Sequence, residues 1–279
     1  MITSVTLAGL ELTDPVIPTD DGYGLHSVDG WGSPASTIAP TQRPRGHGAW
    51  AGDAFLQARS ISLTGQAYFT APAVGTALAD ALIAVATLDS TSLVVTESDL
   101  RREVRVRRDG DVVIKHTPVP HLFDWSVQLV AVDPRKLGSA VTGVTALPSV
   151  SGGMLLPTTV PFLLNSSVVS GSISLINPGT VAGPLRLRVD GPIQGPVITH
   201  VASGRSLVFA SSLTLGVGEW LEIDVDARTV LANGQSSRAG WITSRQWPRF
   251  EPGANTFAFT AVAYSASARL TVEATPAWM

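Results

Sequence analysis

Strict alternation of apolar and polar residues dominates this chain. In residues 58–69, ARSISLTGQAYF, the side chains of Ile61, Leu63, Ala67 and Phe69 fall on one face. Ser60, Ser62, Thr64 and Gln66 fall on the other, a period of two that predicts a half-buried β-strand. Residues 123–131 repeat the pattern, with Phe123, Trp125, Val127 and Leu129 inward and Asp124, Ser126 and Gln128 outward. That strand should stop at Asp133-Pro134, because proline cannot donate to a ladder. Between the two strands the period lengthens. Val74, Leu78, Ala81, Leu82, Val85 and Leu88 recur at helical spacing, which predicts one helix near 74–88, packed by its stripe onto a sheet. Thr70 or Thr76 is its candidate cap. The runs EVRVRR (103–108) and DVVIKH (111–116) flank Asp109-Gly110, which predicts a tight two-residue hairpin with glycine supplying positive φ.

From about Arg135 to Gly153 the chain turns to Gly, Ser, Thr and Val, with Pro148 near the centre, and residues 141–153 are the expected linker. Beyond them nearly everything is strand and turn. PLRLRVDGP (184–192) sets Leu185, Leu187 and Val189 against Arg186 and Arg188. VITHVASGRSLVF (197–209) predicts two strands around Ser203-Gly204. WLEIDVDARTVLANG (220–234) alternates Leu221, Ile223 and Val225 against Glu222, Asp224 and Asp226, turns near Ala227-Arg228, and returns. Short strands at close spacing without helices predict a β-sandwich. The chain is therefore expected to be mainly β: a domain over 1–140 with one α-helix, then a sandwich over 154–279.

Composition narrows the possibilities. The 279 residues are enough for two domains with real cores, and 44% are apolar against only 15% charged. So little charge suits sandwiches that hide part of their surface in an assembly. A net charge of −3 does not suggest a nucleic-acid binder. The absence of cysteine rules out disulfides, zinc–thiolate sites and thiol nucleophiles. The first residues, MITSVTLAGLELTDP, lack the basic start and apolar run of a secretory signal. No stretch approaches the roughly 20 apolar residues of a membrane helix, so membrane insertion is not expected.

Candidate chemistry is sparse. Asp20-Asp21, Asp109/Asp111 and Asp224/Asp226 are the carboxylate pairs, and Asp224 and Asp226 share a strand face on which they can share a cation. A polar outer face beside a turn is the plainer account. His26, His47, His116, His121 and His200 are scattered, and no HExxH helix, GxSxG elbow or Walker A loop occurs. No catalytic residue, metal or cofactor is assigned. The densest charge is Arg101-Arg102-Glu103-Val104-Arg105-Val106-Arg107-Arg108. On a strand, Arg101, Arg105 and Arg107 share one face, making them candidates for contact with a partner; a solvated strand is the alternative. Trp220 and Trp241 would stack on sugar rings if exposed and are sandwich core if buried. Trp247, next to Pro248, reads as structural.

Several short elements recur in an order that resembles the distal tail (Dit) proteins of long-tailed, non-contractile phages. They start with Gly46-His47-Gly48 and run through Arg59-Ser60-Ile61-Ser62-Leu63-Thr64-Gly65 to the ending Val132-Asp133-Pro134-Arg135. Gly152-Gly153, Pro157 and Pro161 lead into NPGT (177–180), GEWLEID (218–224), Asn233-Gly234, Trp247-Pro248 and EPGAN (251–255). Each piece alone is ordinary turn chemistry; their order carries the likeness. The resemblance implies a structural virion protein, not an enzyme. Its first domain would build a homohexameric ring at the tail tip, between tail tube and baseplate hub, with DNA passing through the lumen without specific binding. Its second would be a galectin-like or carbohydrate-module-like sandwich outside the ring. Implied partners are the tail tube protein, the tail-hub or tail-associated protein, the tape measure protein, and receptor-binding or peripheral baseplate proteins. The protein would be assembled in the host cytoplasm. The alternative is a carbohydrate-binding tail adhesin that recognises the host surface through its C-terminal sandwich.

Overall fold

The computed structural model describes residues 2–13, 21–147, 149–151, 167–169 and 171–279. They form two compact units, divided between Gly138 and Ser139. Both are built from strands, and the helix over Pro72–Val85 is the one α-helix among the described residues.

The strands of the first unit are β1 (Ile2–Leu7), β2 (Leu10–Thr13), β3 (Gly22–Asp29), β4 (Arg59–Tyr68), β5 (Thr91–Glu97), β6 (Leu100–Arg108), β7 (Val113–His116) and β8 (Leu122–Ala131). Hydrogen bonding runs β8–β4–β3–β2–β1–β5–β6. The path then returns to its start, because β6 also pairs with β8 through Arg107↔Val130 and Arg108↔Leu129. The sheet thus closes on itself and leaves few open edges. Alternation fills the interior with Val5, Leu7, Leu25, Ile61, Leu63, Leu93, Val95, Val104, Val106, Phe123, Trp125 and Val127. Gly65 has no side chain where Trp125 lies, so the indole can cross the strand above it.

The helix α1 (Pro72–Val85) buries Gly75 and Leu82 and packs Leu78 and Val85 on the same core. Gly75 makes room for the Phe69 ring, which a β-carbon there would meet at 2.9 Å. Neither expected threonine caps it. The Thr70 hydroxyl turns to Asp21 (3.1 Å), whose carboxylate also accepts the Thr70 amide (2.6 Å). The Thr76 hydroxyl bonds back to the Pro72 carbonyl. Ala71 is the cap residue, and Pro72 at the first helical position, with φ already fixed, sets the start. The helix ends before Leu88, which is 70% exposed.

The hairpin expected at Asp109-Gly110 does not form. β7 pairs with β8, from Val113↔Ser126 to His116↔Phe123, and so continues along the edge that β6 has just left. The register shifts between the two segments, and Gly110 at φ +94° sits in the bulge. The real turn is Thr117–His121, with the Thr117 hydroxyl donating to the Val119 and Leu122 carbonyls.

One buried cation organises the end of this unit. Arg59 opens β4 on its inward face and is 1% exposed. Among the described residues it has no carboxylate partner; backbone carbonyls accept its hydrogen bonds. Nη1 donates to Gly30 (3.0 Å), Trp31 (2.9 Å) and Gly32 (2.7 Å), and Nε and Nη2 both donate to Pro134 (3.0 and 2.9 Å). Pro134 is held in place by the Asp133 carboxylate, which accepts the Arg135 amide and pairs with its guanidinium at 2.8 Å. RSISLTG and VDPR, two of the family-like elements, are therefore the two halves of one clasp. Beside it Lys136, 5% exposed, lies over the Trp31 ring at 4.7 Å.

The second unit is a sandwich. One sheet orders β9 (Val141–Ala146), β18 (Arg269–Ala274), β11 (Leu185–Asp190), β14 (Trp220–Asp224) and β15 (Thr229–Ala232). The other orders β10 (Ser172–Asn177), β17 (Gly253–Tyr264), β12 (Ile193–His200), β13 (Arg205–Phe209) and β16 (Ile242–Arg245). Leu185, Leu187, Val189, Leu221, Ile223, Leu270 and Val272 of the first meet Ile198, Leu207, Phe209, Phe257 and Phe259 of the second in one core. The expected linker is partly wrong. Residues 141–146 are a strand paired with Arg269–Ala274, Thr145 and Leu147 are buried, and Gly143 leaves room for Ile173. Small residues there serve close packing and do not mark a flexible join. Residues 152–153 of that linker, and the Pro157 and Pro161 signals, lie outside the described residues.

The turn motifs of this unit are hydrogen-bond devices. Asn177, 1% exposed, donates to the Val181 and Phe250 carbonyls and accepts the Gly179 amide. Asn255, fully buried, donates to the Glu251 and Gly253 carbonyls and accepts the Glu251 amide. Those carbonyls fix its amide orientation, so Oδ1 faces His200 Nε2 at 3.1 Å and that nitrogen must carry the proton. Burial lowers the His200 pKa, keeping the ring neutral, and Nδ1 is left to accept from Ser203 Oγ at 2.8 Å. Asn177 pairs with Gly253 across β10 and β17, so NPGT and EPGAN clamp the same end of the sheet.

Two outcomes test the clasp. Arg59→Met leaves four carbonyls without their donor and should cost about 3 kcal/mol in urea unfolding followed by tryptophan fluorescence. Arg59→Lys should recover only part of this, because an ammonium lacks the fork geometry; a loss below about 1 kcal/mol for Met would show that the clasp contributes little. Lys136 supplies the second. Burial, with help from the Arg59 charge, lowers its pKa from 10.5 to about 8. Between those values the unfolded chain holds more protons than the folded one, so the Lys136 contribution to stability rises with pH. Lys136→Met should therefore be the more stable protein at neutral pH, by on the order of 1–2 kcal/mol, with the advantage fading towards pH ~10. A pH-independent difference would contradict it.

Candidate interaction surfaces

Two of the carboxylates suggested by the sequence, Asp224 and Asp21, do structural work. Asp224 accepts the Ala227 amide at 2.8 Å within the β14–β15 turn and faces Arg186 at 3.5 Å. Asp21 anchors Thr70 ahead of α1, while Asp20 lies outside the described residues. Among the described residues no group of three or more His, Asp and Glu side chains is placed to hold a metal ion. His116 and His121 pack against Phe123 and Phe69 respectively. Among the described residues no helix is long and apolar enough to cross a membrane.

The arginine run lies on β6 as its alternation requires. Val104 and Val106 are buried, and Arg101, Arg105 and Arg107 are exposed together on the opposite face. Glu103 sits among them and approaches Arg105 at 3.5 Å, a loose exposed pair of small energetic weight. On the other face Arg102 is bonded to Glu97 at 2.7 Å. The stripe is therefore a moderately cationic outer surface of the first unit.

The two tryptophans take different roles. Trp220 is half-buried; its Nε1 donates to Glu222 and the Arg188 guanidinium covers its ring at 4.6 Å. A ring already stacked on an arginine offers no free face there to a sugar. Trp241 is 40% exposed, in a 3-10 turn (Ala239–Trp241) whose backbone links to Arg238 and Ala210. No contact joins the two indoles into a platform.

The alternating pattern did not reveal a thin arm of the first unit. Ser36–Ile38 pairs with Ala54–Leu56, and Thr41–Gln42 pairs with Ala49–Trp50, with Gly46-His47-Gly48 at the tip and Gly48 at φ +88°. The arm is exposed along its length, and Ile38, Trp50, Phe55 and Leu56 are 55%, 53%, 68% and 45% accessible. A two-stranded ribbon carrying such residues is marginal alone in water. The sequence signal was there, in large apolar residues spaced through a Pro/Gly-rich stretch, but it has no periodicity to detect.

Comparison with known proteins adds three findings. Residues 178–278 match the family model described as siphovirus-type tail component, C-terminal domain. The whole chain superposes on the Dit protein of phage SPP1, described as a paradigm of hub adsorption apparatus in phages infecting Gram-positive bacteria, with a TM-score of 0.69. That match covers 99% of each chain at 11% sequence identity. A chain of the phage p2 baseplate in its activated conformation with Ca matches at a TM-score of 0.47 and 8% identity, over 90% of this chain and 89% of that one. No curated protein sequence matches. Residues 178–278 thus match the C-terminal domain of the siphovirus-type tail component family, and the fold over nearly the whole chain is like that of the SPP1 Dit protein.

Proposed function

We propose that this protein is an architectural hub of a phage tail tip, whose first unit assembles head to tail with copies of itself into a closed ring. The observation that carries the reading is the fold: end-to-end likeness to a hub protein, together with a family match over residues 178–278 of the second unit. A heterologous contact that closes makes a cyclic oligomer. The exposed arm over residues 36–56 supplies what such a contact needs, a projecting ribbon with Ile38, Trp50, Phe55 and Leu56 in search of cover. Six copies around a lumen wide enough for DNA is the ring this reading expects. The tail tube protein and tape measure protein would lie on one side and the tail-hub protein on the other.

The exposed Arg101, Arg105 and Arg107 stripe fits contact with an acidic neighbour better than contact with DNA. A channel that must let DNA slide is poorly served by several phosphate contacts. The sandwich would stand outside the ring and carry peripheral or receptor-binding proteins. The work assigned to the protein is assembly in the virion, with no reaction to perform. The adhesin alternative loses support at Trp220, whose ring is stacked on Arg188, and is left with Trp241, which is exposed but joined to no second ring.

The arm provides the test. Trp50→Ser with Phe55→Ser removes two exposed aromatic rings without touching either core, so folding by circular dichroism should be unchanged. Sedimentation velocity at about 20 µM should show the native chain as an oligomer and the double variant as a monomer, since aromatic anchors carry most of an interface's energy. A native chain that stays monomeric, or a variant that still assembles, would contradict the reading.

A further inference from the structure

A groove of about 820 Å³ in the second unit is lined by Arg205, Arg228, Arg245 and Arg249, together with Ser203, Gly204, Ile242 and Trp247. The four arginines come from separate parts of the chain. Arg205 follows the β12–β13 turn, Arg228 forms the β14–β15 turn at φ +55°, Arg245 ends β16, and Arg249 follows Trp247-Pro248. All four are exposed, and no carboxylate lines the groove. None of them takes part in an ion pair among the described residues. Arg245 donates to the carbonyl of Ala239, another residue of the lining, at 3.1 Å, which ties down one guanidinium. In a chain of net charge −3 with ion pairs elsewhere on the same sandwich, four unneutralised guanidinium groups converging here form a site for anions.

Ile242 and Arg245 of the lining belong to β16, a strand at a sheet edge. β16 is the last strand of its sheet: its partners are Leu207–Phe209 on one side, and among the described residues no strand pairs with the other. An open edge presents backbone donors and acceptors to an incoming extended chain. The single aromatic ring in the lining, Trp247, is half-buried and packed on the sandwich core, so it is a wall more than a platform for sugar stacking.

We infer that this groove docks an extended acidic segment of a partner protein, which adds to the edge of β16 as a further strand while its carboxylates are taken by Arg205, Arg228, Arg245 and Arg249. Alternate side chains of an added strand point the same way, so glutamates at every second position can face the arginines together. The planar guanidinium fork suits carboxylates in bidentate geometry. This interaction surface is independent of the ring and would stand even if the arm did not oligomerise.

The experiment is fluorescence anisotropy on the full-length protein with a labelled peptide of alternating Glu and Val, at about 50 mM and about 300 mM salt. The expected result is saturable binding that weakens at the higher salt. Arg205→Glu with Arg245→Glu, and separately Arg249→Ala in case the double reversal disturbs folding, should weaken it by about tenfold and a few-fold respectively. A peptide with the same charges but Pro in place of the Val residues should bind about fivefold more weakly, because it has lost strand N–H donors. Absence of binding, or binding untouched by the arginine substitutions, overturns the inference. Equal binding of the proline peptide, or equal competition by polygalacturonate at matched charge, overturns it too, because the groove would then be a general polyanion site.

Discussion

The fold depends on buried polar side chains that satisfy backbone carbonyls where strands end. A strand leaves its last donors and acceptors unpaired, and a buried unpaired carbonyl is costly. In the first unit Arg59 answers this for four residues at once, joining Gly30–Gly32 to Pro134. In the second, Asn177 and Asn255 do the same for the turns beside β10 and β17. The cores supply most of the driving force, but these clasps set which loops meet. They explain why a chain with so few charges keeps an arginine almost fully out of water.

The strand pattern was legible because period-two alternation is local. Ile61, Leu63, Phe123, Trp125, Leu187 and Ile223 lie inward as their spacing requires. Arg59 was hidden by the same logic, since a charged residue at a strand start looks like solvent-facing punctuation. Its burial depends on carbonyls about 28 and 75 positions away. Asp109-Gly110 looked like a hairpin because the dipeptide suits one. The long-range pairing with β8 decided otherwise and used the glycine in a bulge. Val141–Ala146 looked like a linker because small residues serve both flexible joins and tight packing. On the surfaces, the exposed face of Arg101, Arg105 and Arg107 followed from spacing alone. The arginine groove did not, because its members come together only through the sandwich.

Four of the elements that carried the family resemblance form these clasps. RSISLTG and VDPR meet at Arg59, and NPGT and EPGAN meet beside Phe250, whose carbonyl accepts from Asn177. A likeness of 11% identity over a full-length fold becomes physically reasonable on this view. Core positions tolerate many apolar residues of similar size, while a carbonyl cage or an asparagine turn admits few substitutes. The apolar arm, the β6 stripe and the groove at β16 lie outside these clasps, on surfaces that an assembling protein would present to its neighbours.

Imaging of the purified full-length protein by electron microscopy tests the central functional claim most directly. The account predicts closed rings of about six copies with an open centre, each copy's arm lying against its neighbour. Isolated single particles at tens of micromolar protein, with arms that touch nothing, would contradict it.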